Sequence, residues 1–192
     1  IANLRGGGEM GQAWHDAGRM LVKQNVFDDF IACAEALVKG GWTSSKRLAI
    51  EGGSNGGLLM GAALTQRPEL FAAVVSHVGI YDMLRVELAP NGAFNVPEFG
   101  SVKDEAQFRA LFAYSPYHHV KDGAAYPPVL LPTGANDPRV DPMHSRKFAA
   151  RLQAATGGRS LVLLRASQSS GHGIGTGLDE RIALETDTLA FL

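Results

Sequence analysis

An α/β fold, with a mainly parallel sheet covered by helices on both faces, is predicted by three features of the sequence. Short apolar runs of strand character alternate with longer segments of helical period along most of the 192 residues. These runs are nearly continuously apolar rather than alternating, as expected for strands buried on both faces. One of them stops at a serine framed by glycines, and a helical segment follows at once.

In chain order, Ile1-Ala2-Asn3-Leu4 reads as the end of a strand already under way. With no initiator methionine, the chain is expected to be a fragment whose N-terminal strands lie upstream. After the glycines at 6–8, the apolar positions Val26, Phe27, Phe30, Ile31, Ala34, Leu37 and Val38 recur at helical spacing, and Gly40-Gly41 ends the run. The lone Cys33 sits among apolar neighbours, so burial is expected of it. Strands are predicted at 47–50, 71–78, 128–131 and 161–164, with helices at 58–64, 142–155 and 179–192. Residues 82–120 carry Pro90-Asn91-Gly92, Pro97, Gly100 and Ser115-Pro116. They read as an insertion over the site, made of loops around one or two short helices. Residues 1–192 are thus one partial domain.

The composition excludes several function classes. Eighteen basic residues against nineteen acidic give a net charge of −1, with no block of like charge to draw the surface to nucleic acid or anionic lipid. No apolar stretch reaches about eighteen residues, so no membrane span is expected and the protein reads as soluble, cytoplasmic or periplasmic. Gly6-x-Gly8-x-x-Gly11 suggests a dinucleotide fingerprint, but Asp28 and Asp29, the acidic candidates downstream, fall inside the predicted helix. There is no phosphate loop or cysteine-histidine metal spacing, so neither cofactor nor metal is implied.

The chemistry points to Ser54. Gly52-Gly53-Ser54-Asn55-Gly56-Gly57 lies between predicted strand and helix, the setting of the nucleophile elbow of the α/β-hydrolase fold. Such a turn lifts the hydroxyl above the sheet, and glycines let the neighbouring backbone pass closely. The helix end that follows offers the Asn55 N–H to a developing oxyanion. The competing account is a serine-capped glycine turn. A serine hydroxyl needs a base, and in this fold acid and histidine follow it in the chain. Of six histidines, only His172 follows the last predicted strand, in a glycine-flanked loop. Asp137 follows the strand at 128–131 and suits the role of orienting acid. Its rivals are Asp141, a good helix cap before Pro142, and Asp82.

Asn3-Leu4-Arg5-Gly6-Gly7-Gly8-Glu9, the elbow, Asn136-Asp137-Pro138-Arg139-Val140 and Gly171-His172-Gly173 together resemble the catalytic domain of the prolyl oligopeptidase family, in order and over nearly the whole chain. The resemblance implies a serine peptidase acting on short peptides after proline, with Ser54, Asp137 and His172 as triad and Asn55 in the oxyanion hole. It also implies that Arg139 binds a substrate carbonyl, where the ordinary alternative is a surface salt bridge. A second oxyanion donor, a tyrosine, and a gating β-propeller are implied upstream of Ile1. The family's proline-stacking tryptophan is replaced here by Asn95, leaving Phe94 or Phe99 to supply an aromatic wall or merely to pack. The other readings are an esterase or other acyl hydrolase of the same fold, and a binding domain without activity.

Overall fold

The computed structural model describes residues 1–192. The strands are β1 (Ala49–Gly53), β2 (Ala73–His77), β3 (Val129–Gly134) and β4 (Val162–Ser167). They form one parallel sheet in the order β1-β2-β3-β4. The helices are α1 (Gln12–Asp16), α2 (Gln24–Lys39), α3 (Asn55–Gln66), α4 (Gly92–Phe99), α5 (Glu105–Tyr114), α6 (Met143–Thr156) and α7 (Leu178–Phe191), with four short 3-10 turns between them. The alternation read from residue 47 onward is therefore correct, whereas residues 1–4 form no strand, and the segment read as an insertion, residues 82–120, holds two short helices, α4 and α5.

The register explains why the strands are so apolar. Ile50, Val74, Val129 and Val162 are successive partners across the sheet. Side chains alternate along a strand, so these four share one face. That row is buried with Met60 and Leu64 of α3 and Phe148 and Leu152 of α6 in a cluster of 18 residues. Each fully buried residue of this size stabilises the fold by about 1.5–3 kcal/mol. The other face is reached through Arg165, the partner of Pro132. Arg165 is one residue out of phase with Leu164, the partner of the clustered Leu131, and so points the opposite way. Its guanidinium pairs with Glu180 and Asp187 of α7 at 2.8 and 2.6 Å, which places that helix on the second face.

Two details of α2 and the insertion depart from expectation or were not foreseen. Cys33 is exposed, not buried. The buried stripe of α2 runs through Phe27 and Ala34, with Phe30 and Ile31 half-buried beside it, and Cys33 falls on the neighbouring flank. A second cluster joins Phe27, Leu58, Ile80, Met83, Phe99, Leu111, Tyr114 and Val140, fastening the insertion onto α2 and α3. No helix is long and apolar enough to cross a membrane.

Candidate active site

Ser54 stands where β1 becomes α3, held by its N–H donating to the His77 carbonyl at 2.9 Å. Its φ of 60° and ψ of −117° are strained for a residue with a side chain. The glycines that permit this turn are not quite those the motif suggests. A Cβ at Gly52 would lie 2.7 Å from the Gly56 carbonyl oxygen, and one at Gly57 would lie 2.5 Å from Cα of Gly79. Gly56 itself faces open space. Asn55 is the first helical residue of α3, so its N–H has no acceptor within the helix and lies at the positive end of the helix dipole.

His172 Nε2 is 2.9 Å from Ser54 Oγ, and His172 Nδ1 is 2.6 Å from Asp137 Oδ2. The other carboxylate oxygen, Oδ1, accepts the N–H groups of Arg139 at 2.8 Å and Val140 at 3.0 Å. Burial pushes the Asp137 carboxyl up, but the hydrogen bond from His172 and those from the Val140 and Arg139 amides outweigh it, and the group sits below the ordinary carboxylate range. An ionised carboxylate only accepts, so Nδ1 carries the imidazole proton and Nε2 is left to accept from the serine hydroxyl. A hydroxyl in that position can be deprotonated as it attacks an acyl carbon.

The histidine loop reaches the serine because it lies directly on the end of β3. Ala135 N–H donates to the Ser167 carbonyl at 2.8 Å and Asn136 N–H to that of Ser170 at 3.1 Å, while Asn136 Nδ2 donates to the Gln168 carbonyl at 2.8 Å. At Gly134 a Cβ would overlap the carbonyl oxygens of Gly171 and Ser170. Sequence reasoning misses this role of Gly134. The only local sign of it is a glycine ending a strand.

The rival acids are occupied elsewhere. Asp141 Oδ1 accepts the Met143 N–H at 2.8 Å, capping the start of α6. Asp82 is fully buried and pairs with Lys147 and, at 3.0 Å, with Arg85. The other histidines also have partners: His15 bonds the Gly6 carbonyl, His77 pairs with Glu51, and His118 and His119 bond Ser115.

His144 is held from the backbone instead: its Nδ1 accepts two N–H groups, from Tyr81 at 3.3 Å and Asp82 at 3.1 Å. Burial pushes its imidazole down to about 4 from an ordinary 6.5, against the pull of Asp82 and Asp141. Between those two values the unfolded chain binds a proton that the folded chain does not, so stability is full above the ordinary value and falls as pH drops towards 4. Urea unfolding of the protein at pH 7 and pH 4 is expected to show a loss about 3 kcal/mol larger than in His144→Asn, which keeps a neutral acceptor. Equal losses in the two proteins would contradict this.

Of the residues assigned to substrate, Arg139 lies on the same turn as Asp137, exposed and with no ion-pair partner, so the surface salt bridge considered for it is not formed. Phe94 is 76% exposed and Asn95 half-buried on α4. Phe99, at the end of α4, is 2% exposed and packs with Ile80 and Val140, so its ring stands behind the surface rather than on it.

The sequence profile of the prolyl oligopeptidase family matches residues 1–192. A prolyl endopeptidase of Dictyostelium discoideum is 49% identical over 184 residues, which are 94% of this chain and 24% of its own length. Another, from Elizabethkingia meningoseptica, is 43% identical over 192 residues, 100% of this chain and 27% of its own. A structure solved in a mechanistic study of two prolyl endopeptidases superposes with a TM-score of 0.95 at 52% identity, covering 98% of this chain and 28% of that one. Prolyl oligopeptidase B from Galerina marginata, bound to a 25mer macrocyclization substrate, superposes with a TM-score of 0.93 at 35% identity, covering 98% of this chain and 27% of that one. The chain therefore spans about a quarter of the length of the relatives it matches. With the match running from the first residue to the last, over an α/β-hydrolase sheet that ends in a serine elbow, the chain belongs to the prolyl oligopeptidase family of serine peptidases.

Proposed function

We propose that this chain carries the catalytic centre of a peptidase that hydrolyses short peptides on the carboxyl side of proline through an acyl-enzyme on Ser54. The observation that carries the reading is the unbroken hydrogen-bonded line from Ser54 Oγ through His172 to Asp137. In the first half-reaction His172 Nε2 takes the hydroxyl proton as Ser54 Oγ attacks the carbonyl carbon. The oxyanion that forms meets the Asn55 N–H, a donor already fixed by the start of α3. The C–N bond then breaks, and His172 passes its proton to the departing amine. In the second half, water gives a proton to His172 and attacks the ester, and Ser54 leaves with that proton restored. Asp137 stays ionised, holds the ring and stabilises the imidazolium.

On this reading Arg139 takes a substrate carbonyl, and Phe94 and Asn95 stand at the proline side of the site with Phe99 behind them. The relatives named for action after proline supply that part of the proposal. On this reading a second oxyanion donor and a β-propeller that limits peptide length are supplied by the rest of the parent protein.

A fluorophosphonate is expected to label the intact protein and to leave Ser54→Ala unmodified. Labelling of both, or of neither, removes Ser54 as nucleophile. Cleavage of a proline-containing peptide amide separates this function from an acyl hydrolase, which turns over only a short-chain ester.

A further inference from the structure

We propose that Lys23 is a positioning residue for substrate binding, acting through Glu98 to hold α4 against the turn that carries Asp137 and Arg139. The inference rests on the peptidase reading above and concerns a residue with no hydrogen bond to Ser54, His172 or Asp137.

Lys23 is only 2% exposed, and its ammonium donates to Glu98 Oε1 at 2.6 Å while lying 5.3 Å from the centre of the Phe99 ring. His15 Nε2 lies 3.4 Å from the second carboxylate oxygen. An ammonium taken out of water is costly unless it is paired, so the fold retains Lys23 against a considerable desolvation penalty. The partner it selects is in the last turn of α4, the negative end of the helix dipole, where a carboxylate is unfavourable without a cation beside it.

The helix in question needs such a pin. It has eight residues and contains Pro97, which donates no backbone hydrogen bond, so it is too short to be stable by itself. At its other end, Asn91 Nδ2 donates to the Arg139 carbonyl at 3.5 Å. The helix is therefore held by the Lys23 pair and the buried Phe99 at its C-terminus and by the Arg139 turn at its N-terminus. Phe94 and Asn95 lie between them.

This geometry separates binding from chemistry. Asp137 is held by its own turn, through the amides of Arg139 and Val140, and by His172. None of these bonds passes through α4. Loosening the helix should displace Phe94, Asn95 and the Arg139 carbonyl while leaving the line from Asp137 to Ser54 in place.

The test uses the intact protein with Lys23→Met, which removes the buried charge and keeps the stem's bulk. The KM for a proline-containing peptide amide is expected to rise about tenfold, the scale of coupling through packed neighbours, with kcat within about twofold. The rate of fluorophosphonate labelling at Ser54 is expected to be unchanged. Glu98→Gln, at a partly exposed position that tolerates change, is expected to raise KM at least as much, and adding Lys23→Met to it should raise KM no further. An unchanged KM in both single variants overturns the inference, as does a fall in labelling rate that matches the change in kcat/KM, or additive effects in the double variant. No cleavage of the peptide by the unsubstituted protein overturns the peptidase reading and this inference with it. Cleavage with an unaltered KM in the variants overturns the inference alone.

Discussion

Asp137→Asn is expected to lower kcat about 10⁴-fold while leaving the fold stable. The size of the effect follows from where the two carboxylate oxygens point. Oδ1 accepts the Arg139 and Val140 amides at 2.8 and 3.0 Å, and Oδ2 faces His172 Nδ1 at 2.6 Å. An asparagine must place its carbonyl oxygen where the two amides donate, since its NH₂ group cannot accept from them. Its NH₂ is then directed at Nδ1 of the histidine. That contact is satisfied only if Nδ1 is the acceptor, which moves the ring proton to Nε2, the nitrogen facing Ser54. The imidazole is left in the tautomer that cannot take the serine proton. Rotating the amide to correct this would break two backbone hydrogen bonds to a fully buried side chain. Steady-state hydrolysis of a peptide amide, paired with a thermal melt, measures the two halves of the expectation. A loss below about tenfold in a folded variant would show that Asp137 is not the group orienting His172.

Gly134→Ala is expected to reduce kcat/KM by about 100-fold or more, although residue 134 touches no reacting atom. The added methyl would meet the carbonyl oxygens of Gly171 and Ser170, which are backbone atoms and cannot swing aside like the end of a side chain. Either β3 separates from the loop or the loop lifts, and His172 lies one residue beyond Gly171. A shift on the order of 1 Å in a catalytic group is enough for a loss of this size. Overpacking of this kind also costs about 1–3 kcal/mol of stability. Labelling by a fluorophosphonate should slow in parallel with peptide hydrolysis, because both need the histidine beside Ser54. Wild-type rates at both would mean that the loop accommodates the methyl, and that the close approach at Gly134 does not set the histidine's position.

These two cases differ in how visible they are from the residues alone. Asp137 stands at the carboxyl end of an apolar strand, between serine and histidine in the chain order the fold requires, so topology selects it from the sequence. The strands themselves are legible for the same reason. Val74, Val75, Val129 and Leu131 are apolar because they lie in the centre of a parallel sheet, and burial leaves a local signature. Gly134 has no comparable signature. Its importance comes from a segment more than thirty positions away, brought over it by the Ala135 to Ser167 and Asn136 to Ser170 hydrogen bonds.

By itself, then, the sequence determined the α/β alternation, the elbow at Ser54 and the order of Ser54, Asp137 and His172, because each is written in local period, turn chemistry or chain order. Tertiary structure alone decided that Gly57 rather than Gly56 is the tight glycine of the turn, that Cys33 lies beside the buried stripe of α2, and that Phe99 is behind the surface while Phe94 is on it. It alone joined Lys23 to Glu98, 75 positions along the chain. Apolar period reports how much of a residue is buried but not which neighbour buries it, and a charge of either sign reads as solvated surface until the fold supplies its partner.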